Sequence, residues 1–200
     1  MKKVDAVASL VIGELAALLM LAIGRNIALP IQVRSLLPWL PFTFPLLTLA
    51  VMAAGTFVAR RIAFGYQFTK FVLVGGLNFL IDLGVLNLLI FSTGITSGFY
   101  AVSFKAVAFL VAVTSSFLWN KFWTFRSLSI EHVGAQFAEF FAVTAVGFLI
   151  NVGSFALLND FIGPQAGIDA KTWASVAATG AGVTGLVWNF LGYKFFVFRR

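Results

Sequence analysis

The 200-residue chain is 60% hydrophobic and only 10% charged, with a mean hydropathy of +0.99 and a formal net charge of +7 at pH 7. A soluble domain carries about 25% charged residues, so this chain has too little polar surface to cover itself, and its expected solvent is a lipid bilayer. It has no cysteine and a single histidine, His132, which excludes disulfides, thiolate chemistry and any metal site or dyad needing two histidines.

Six apolar stretches succeed one another along the chain, each close to the ~20 residues of a spanning helix. Ala6 to Ala28 is broken only by Glu14 and Arg25. It comes after Lys2 and Lys3, but its apolar run is too long for a signal peptide and no small-residue cleavage pattern stands out, so it is expected to remain as a span. Leu37 to Ala59 is uncharged, with Pro38, Pro41 and Pro45 near its start, where proline suits a helix entry. Phe71 to Phe91 contains only Asp82, and Phe99 to Phe122 holds Lys105 and Lys121. Phe140 to Asn159 and Thr172 to Tyr193 are uncharged. A helix satisfies its own backbone in lipid, so the predicted fold is an all-α integral membrane protein of six transmembrane helices.

Charge predicts the orientation. One alternate set of connections carries Lys2, Lys3, Arg60, Arg61, Lys70, Lys121, Arg126, Lys194, Arg199 and Arg200, and the other only Arg25, Arg34 and Lys171. The richer side is expected at the cytoplasm, with both termini there. Residues 126–139 then form an inner loop, and 92–98 and 160–171 outer loops. The pI of about 10.2 needs no nucleic acid, because this bias and attraction to anionic membrane lipids suffice.

The chain repeats itself. KFVLVGGLNFLIDLGVLNLL from Lys70 aligns without gaps on EFFAVTAVGFLINVGSFALL from Glu139, with Asp82 on Asn151. SFLWNKFWTFR from Ser116 aligns on NFLGYKFFVFR from Asn189. The extra residues of the second copy fit in the longer outer loop around Pro164. Each copy is a hairpin of two spans that returns the chain to its starting side, so the copies form a parallel repeat. Residues 1–64 have no counterpart and read as an additional N-terminal hairpin. Residues 68–200 are the four-helix core, with repeat one at 70–126 and repeat two at 139–199.

KFVLVGGLNFLIDLG with SFLWNKFWTFR, and FFAVTAVGFLINVG with NFLGYKFFVFR, resemble the GtrA-like family of polytopic membrane proteins. The resemblance covers about residues 68–200. It implies work with polyprenyl-phosphate-linked sugars in cell-surface polysaccharide synthesis, either moving the lipid across the membrane or anchoring the glycosyltransferase that makes it. A similar domain is fused to some dolichol-phosphate-mannose synthases. The N-terminal hairpin departs from the four-span family core.

Two sets of residues carry the candidate chemistry. Lys121, Arg126, Lys194, Arg199 and Arg200 form two cationic clusters at the inner interface, interleaved with Phe122, Trp123, Phe125, Phe195, Phe196 and Phe198. In α-helical register Lys121 and Phe125 would share a face, as would Phe195 and Phe198. Such strings serve as ordinary interfacial anchors or, in the light of the resemblance, as a site for a lipid phosphate, to which arginine gives bidentate contacts and lysine a point charge. The second set is intramembrane: Asn78, Asp82, Asn151, Glu14 and Lys105. A carboxylate at mid-membrane faces protein or water and marks function, or it serves as an interhelical clamp. Glu14 could pair with Lys105, which could instead snorkel outward. Gly75, Gly76, Gly84, Gly153, Gly180, Gly182 and Gly185 are expected to permit close helix packing.

The leading expectation is a flippase-like carrier of a polyprenyl-phosphate sugar, with no catalytic residues, cofactor or metal. No nucleophile–base pair, metal constellation or nucleotide loop is visible, so an enzyme is not expected. One alternative is a scaffold docking a partner glycosyltransferase without transport. Another is a proton-coupled exporter that depends on Glu14 or Asp82. A homodimer in the cytoplasmic membrane completes the expectation.

Overall fold

The computed structural model describes residues 1–26, 30–62, 64–95, 98–167 and 170–199. It is all-α, with six long helices: α1 (Lys3–Asn26), α3 (Leu40–Val58), α4 (Gly65–Thr93), α5 (Gly98–Trp119), α6 (Val133–Ala156) and α7 (Ala170–Gly192). The short α2 (Ile31–Arg34) and a 3-10 turn at Leu37–Trp39 lead into α3. Among the described residues five segments are long and apolar enough to cross a membrane: Lys3–Gly24, Ile31–Val58, Gly65–Thr93, Ala106–Thr124 and Val133–Asn151. The sixth helix, α7, has 23 residues. Helices α1 and α4 begin earlier than their apolar runs suggest. Asp5 and Lys70 therefore lie inside α1 and α4 rather than in flanking loops.

The chain divides into two compact units, Met1–Arg126 and Ser127–Arg200. The first joins the N-terminal hairpin to the first repeat hairpin, and the second contains the second repeat hairpin. In the first unit α1 packs on α3 and α4, and α4 packs on α5. Ile12, Ala16, Met52, Leu73, Val74, Leu77 and Trp123 make its core. Lipid tails are as apolar as these side chains, so close packing and polar contacts hold such helices together. At the α1–α3 crossing, a Cβ on Gly13 would lie 2.4 Å from Thr48 Oγ1 and 2.5 Å from the Pro45 Cα. The Thr48 hydroxyl donates to the Ser9 carbonyl across that gap at 2.7 Å.

In the second unit α6 packs on α7. A Cβ on Gly147 would meet Asn189 Oδ1 at 2.1 Å, and one on Gly192 would meet Val143 Cγ1 at 2.4 Å. The expectation for the glycines is corrected in part. Gly84, Gly180 and Gly185 face neighbours within 3.3 Å of such a Cβ, but among the described residues Gly75, Gly76, Gly153 and Gly182 face nothing within 4 Å. The closest approaches fall instead at Gly13, Gly55, Gly147 and Gly192, where a bulky or branched partner, Thr48, Thr69, Asn189 or Val143, occupies the vacant Cβ position.

Candidate functional site

The doubled string has a doubled conformation. After α5 the backbone widens into a π-turn at Asn120–Thr124, and after α7 it does so again at Tyr193–Val197. The Phe125 N–H donates to the Asn120 carbonyl at 2.9 Å, and the Phe198 N–H to the Tyr193 carbonyl at 2.8 Å. These i→i+5 bonds are the mark of a π-turn, which is rare and concentrates at functional sites. Both closing phenylalanines are buried.

The wider turn also corrects the α-helical register. Lys121 and Phe125 are buried together, but Phe195 is 58% exposed while Phe198 is buried. A π-turn needs more residues than the 3.6 of an α-turn, so an i,i+3 pair separates. Lys121 Nζ lies 5.8 Å from the Phe122 ring centroid. Lys194, half-buried, lies 5.4 Å from that of Phe195 and 6.0 Å from that of Phe190.

The first π-turn does something the second does not. Asp5, in the first turn of α1, is fully buried. An unpaired carboxylate at such a position costs several kcal/mol. Here both oxygens are served. Tyr66 O–H donates to Oδ2 and Lys70 Nζ to Oδ1. Trp123 Nε1 donates to Oδ1 at 3.0 Å, and Arg126 Nη2 reaches Oδ1 at 3.2 Å and Oδ2 at 3.3 Å. Lys70 is itself buried, 4.6 Å from the Tyr66 ring centroid and 5.2 Å from that of Trp123, so its charge is met by one carboxylate and two π-faces. Arg126 enters from the boundary. Its side chain is 33% exposed, and its φ of 53° is left-handed, uncommon for a residue other than glycine.

In the second copy the alignment puts Ala135, Glu139, Phe196 and Arg199 where the first has Tyr66, Lys70, Trp123 and Arg126. Glu139 and Arg199 are exposed, and Phe196 is 56% exposed against 5% for Trp123. The turn is instead closed by apolar packing. Phe140 stacks on Tyr193 with centroids 4.0 Å apart, and the Tyr193 and Thr144 hydroxyls are 2.7 Å apart. The copies share a backbone device and differ in what it presents.

Two long helical hairpins ending in the same basic-aromatic π-turn therefore make up residues 70 to 198 or so, and a family model described as GtrA/DPMS, transmembrane domain, matches residues 70–198. The chain belongs to this family. Searches of curated proteins and of solved structures returned no match. The GtrA/DPMS match starts at Lys70. The family domain thus contains three of the donors to Asp5, while Asp5 itself comes from the hairpin outside it.

Of the site residues expected from sequence, Arg126 is drawn into the Asp5 cluster and Lys121 is buried in the same turn. Asn78 is buried on α4, its amide donating to the Val74 carbonyl at 2.8 Å. Among the described residues its Oδ1, like Asn120 Oδ1 and Thr124 Oγ1, is buried without a hydrogen-bond partner. Asp82, Asn151 and Glu14 are half-buried on α4, α6 and α1. The side chain of Lys105 and residue Arg200 lie outside the described residues, so the Glu14–Lys105 pairing does too. Sequence reasoning missed Asp5 and Tyr66 and read Lys70 only as a cation of the positive side. The available signal was an acid immediately before an apolar span, two residues after Lys3.

Proposed function

We propose that this GtrA/DPMS protein is a carrier, without chemistry of its own, that moves a polyprenyl-phosphate-linked sugar across the cytoplasmic membrane for cell-surface glycan synthesis. The observation that carries the reading is the repeated π-turn. In this chain each hairpin of the matched domain closes on a π-turn that holds a lysine, Lys121 or Lys194, with an arginine, Arg126 or Arg199, two residues beyond the turn. On this reading Lys121, Arg126, Lys194, Arg199 and Arg200 meet the lipid phosphate at the cytoplasmic face, where arginine forks and lysine point charges suit it. Asn78, Asp82 and Asn151, with Glu14 and Lys105, offer polar groups to the sugar within the membrane. The unmet acceptors Asn78 Oδ1 and Asn120 Oδ1 support this, because sugar hydroxyls are donors and a buried acceptor without one is costly. The positive-inside bias supports cytoplasmic termini. A partner glycosyltransferase and a homodimer belong to the same proposal.

The test is a leaflet-accessibility assay. Purified protein is reconstituted in liposomes holding a polyprenyl-phosphate sugar, with a membrane-impermeant reagent outside. Wild type is compared with Lys121→Gln/Lys194→Gln and with Asp82→Asn. Accelerated exposure of inner-leaflet lipid that the variants lose supports the carrier. Movement no faster than in protein-free liposomes sinks it, and a pull-down of a glycosyltransferase would then test the scaffold.

A further inference from the structure

We infer that Tyr66, Lys70, Trp123 and Arg126 form a seat for a phosphate-class anion, and that Asp5 of the N-terminal hairpin occupies this seat in competition with such an anion. The inference does not require that the chain transport anything. It rests on how the donors converge. Four side chains, two from α4, one from the first π-turn and Arg126 just beyond that turn, aim at one buried carboxylate and serve both its oxygens. Convergent donors around a shielded point are what anion recognition requires.

Charge argues for more than a carboxylate. Lys70 and Arg126 bring two positive charges to the single negative charge of Asp5. A phosphate monoester carries about −1.5 to −2 at pH 7 and three acceptor oxygens. It would balance both cations, which Asp5 cannot. Access is present on one side. Lys70 is locked in place, with its Nζ also 3.4 Å from the Trp123 carbonyl, but the Arg126 side chain is a third exposed where the chain leaves the span. Arg126 can swing outward without unpacking the core, and it marks the route in.

The origin of the parts argues for exchange. Lys70, Trp123 and Arg126 lie inside the matched family domain, and the anion arrives from a hairpin outside it. Donors set on one hairpin, α4 and the end of α5, and an acceptor supplied by another are the arrangement of a site with a tethered occupant. The second copy supplies an internal control. With Ala135, Glu139 and Phe196 in place of Tyr66, Lys70 and Trp123, it lacks three of the four donors, so the seat belongs to the first copy alone.

The experiment measures thermal unfolding of the full chain in two media. In detergent the probe is inorganic phosphate against chloride at equal ionic strength. In nanodiscs it is phosphatidylcholine with or without phosphatidic acid, a lipid bearing a phosphate monoester. Asp5→Asn keeps the shape of the occupant and removes its charge. It is expected to take up at least one probe about tenfold more tightly than wild type, seen as a larger rise in unfolding temperature at each probe level. Asp5→Asn/Lys70→Gln is expected to lose that gain. A response to phosphate alone identifies a soluble ligand, and a response to phosphatidic acid alone identifies a headgroup. Either supports the seat. If Asp5→Asn responds no more than wild type, or the double variant responds as strongly as the single, the inference is overturned. If Asp5→Asn is recovered folded only with a probe present, the seat is supported. If it stays unfolded with both probes, the seat is rejected.

Discussion

Lys70→Met tests whether the Asp5 cluster holds the N-terminal hairpin to the family domain. Both members of the pair are buried, with side-chain exposures of 2% and 0%. Removing one partner of a buried ion pair costs about 3–5 kcal/mol, because the other is left as an uncompensated charge. Asp5 would keep Tyr66, Trp123 and Arg126, which places the expected loss at the lower end, about 3 kcal/mol. Adding Asp5→Asn to Lys70→Met removes the stranded charge while an amide oxygen still accepts from Trp123. Arg126, at the boundary, can turn to water. The second substitution should therefore cost about 1 kcal/mol or less in that background. The coupling energy between the two positions is expected to be about 2 kcal/mol. Unfolding of the purified chain in mixed micelles, followed by helical circular dichroism against denaturing detergent, gives the four corners of the cycle. Costs that add to within about 0.5 kcal/mol would refute the reasoning, since they would mean that Lys70 and Asp5 do not act as a pair.

The same geometry predicts other outcomes. Gly13→Ala should cost about 1–3 kcal/mol, because the new methyl meets the Pro45 backbone, which cannot give way; Gly75→Ala, with open space beside it, should be neutral or slightly stabilising. The same unfolding titration separates the two. Tyr193→Phe keeps the stack on Phe140 but loses the hydroxyl contact to Thr144, an expected loss of about 1 kcal/mol. Deleting Phe122 removes the extra residue of the first π-turn and rotates the residues beyond it, so Trp123 and Arg126 should lose Asp5. Unfolding of the deletion variant should then be more sensitive to Lys70→Met than that of wild type, because Asp5 would keep only Tyr66 and Lys70. Arg126→Gln should cost only about 1 kcal/mol, since a side chain a third exposed is screened by water.

The spans and the repeat were legible because they depend on run length and on side-chain identity, both of which a sequence displays. The π-turns were not. NKFWT and YKFFV read equally well as α-helix, and the i→i+5 bond is a backbone choice with no residue signature of its own. Asp5 was hidden by its position, since an acid in a first helical turn is ordinarily explained by the helix dipole. Lys70 was hidden by the charge rule that counts it among the basic residues of one side, and that rule says nothing about whether a cation faces headgroups or a buried carboxylate. The glycine expectation failed at Gly75, Gly76, Gly153 and Gly182 for a related reason. Composition shows where a helix could be approached closely, and only the partner side chain decides where it is.

The Asp5 cluster also imposes an order on biosynthesis. The acceptor is made before its donors, and Arg126 comes 121 positions after it. Domains form as the chain emerges, N-terminal parts first. The first hairpin must therefore wait in the membrane with an uncompensated carboxylate while α4 and α5 are threaded in beside it. Ribosome-bound chains halted before Arg126 has left the ribosome should hold that hairpin loosely, and chains long enough to have released it should hold it fast. The N-terminal helix would in this way report on whether synthesis of the first unit is complete.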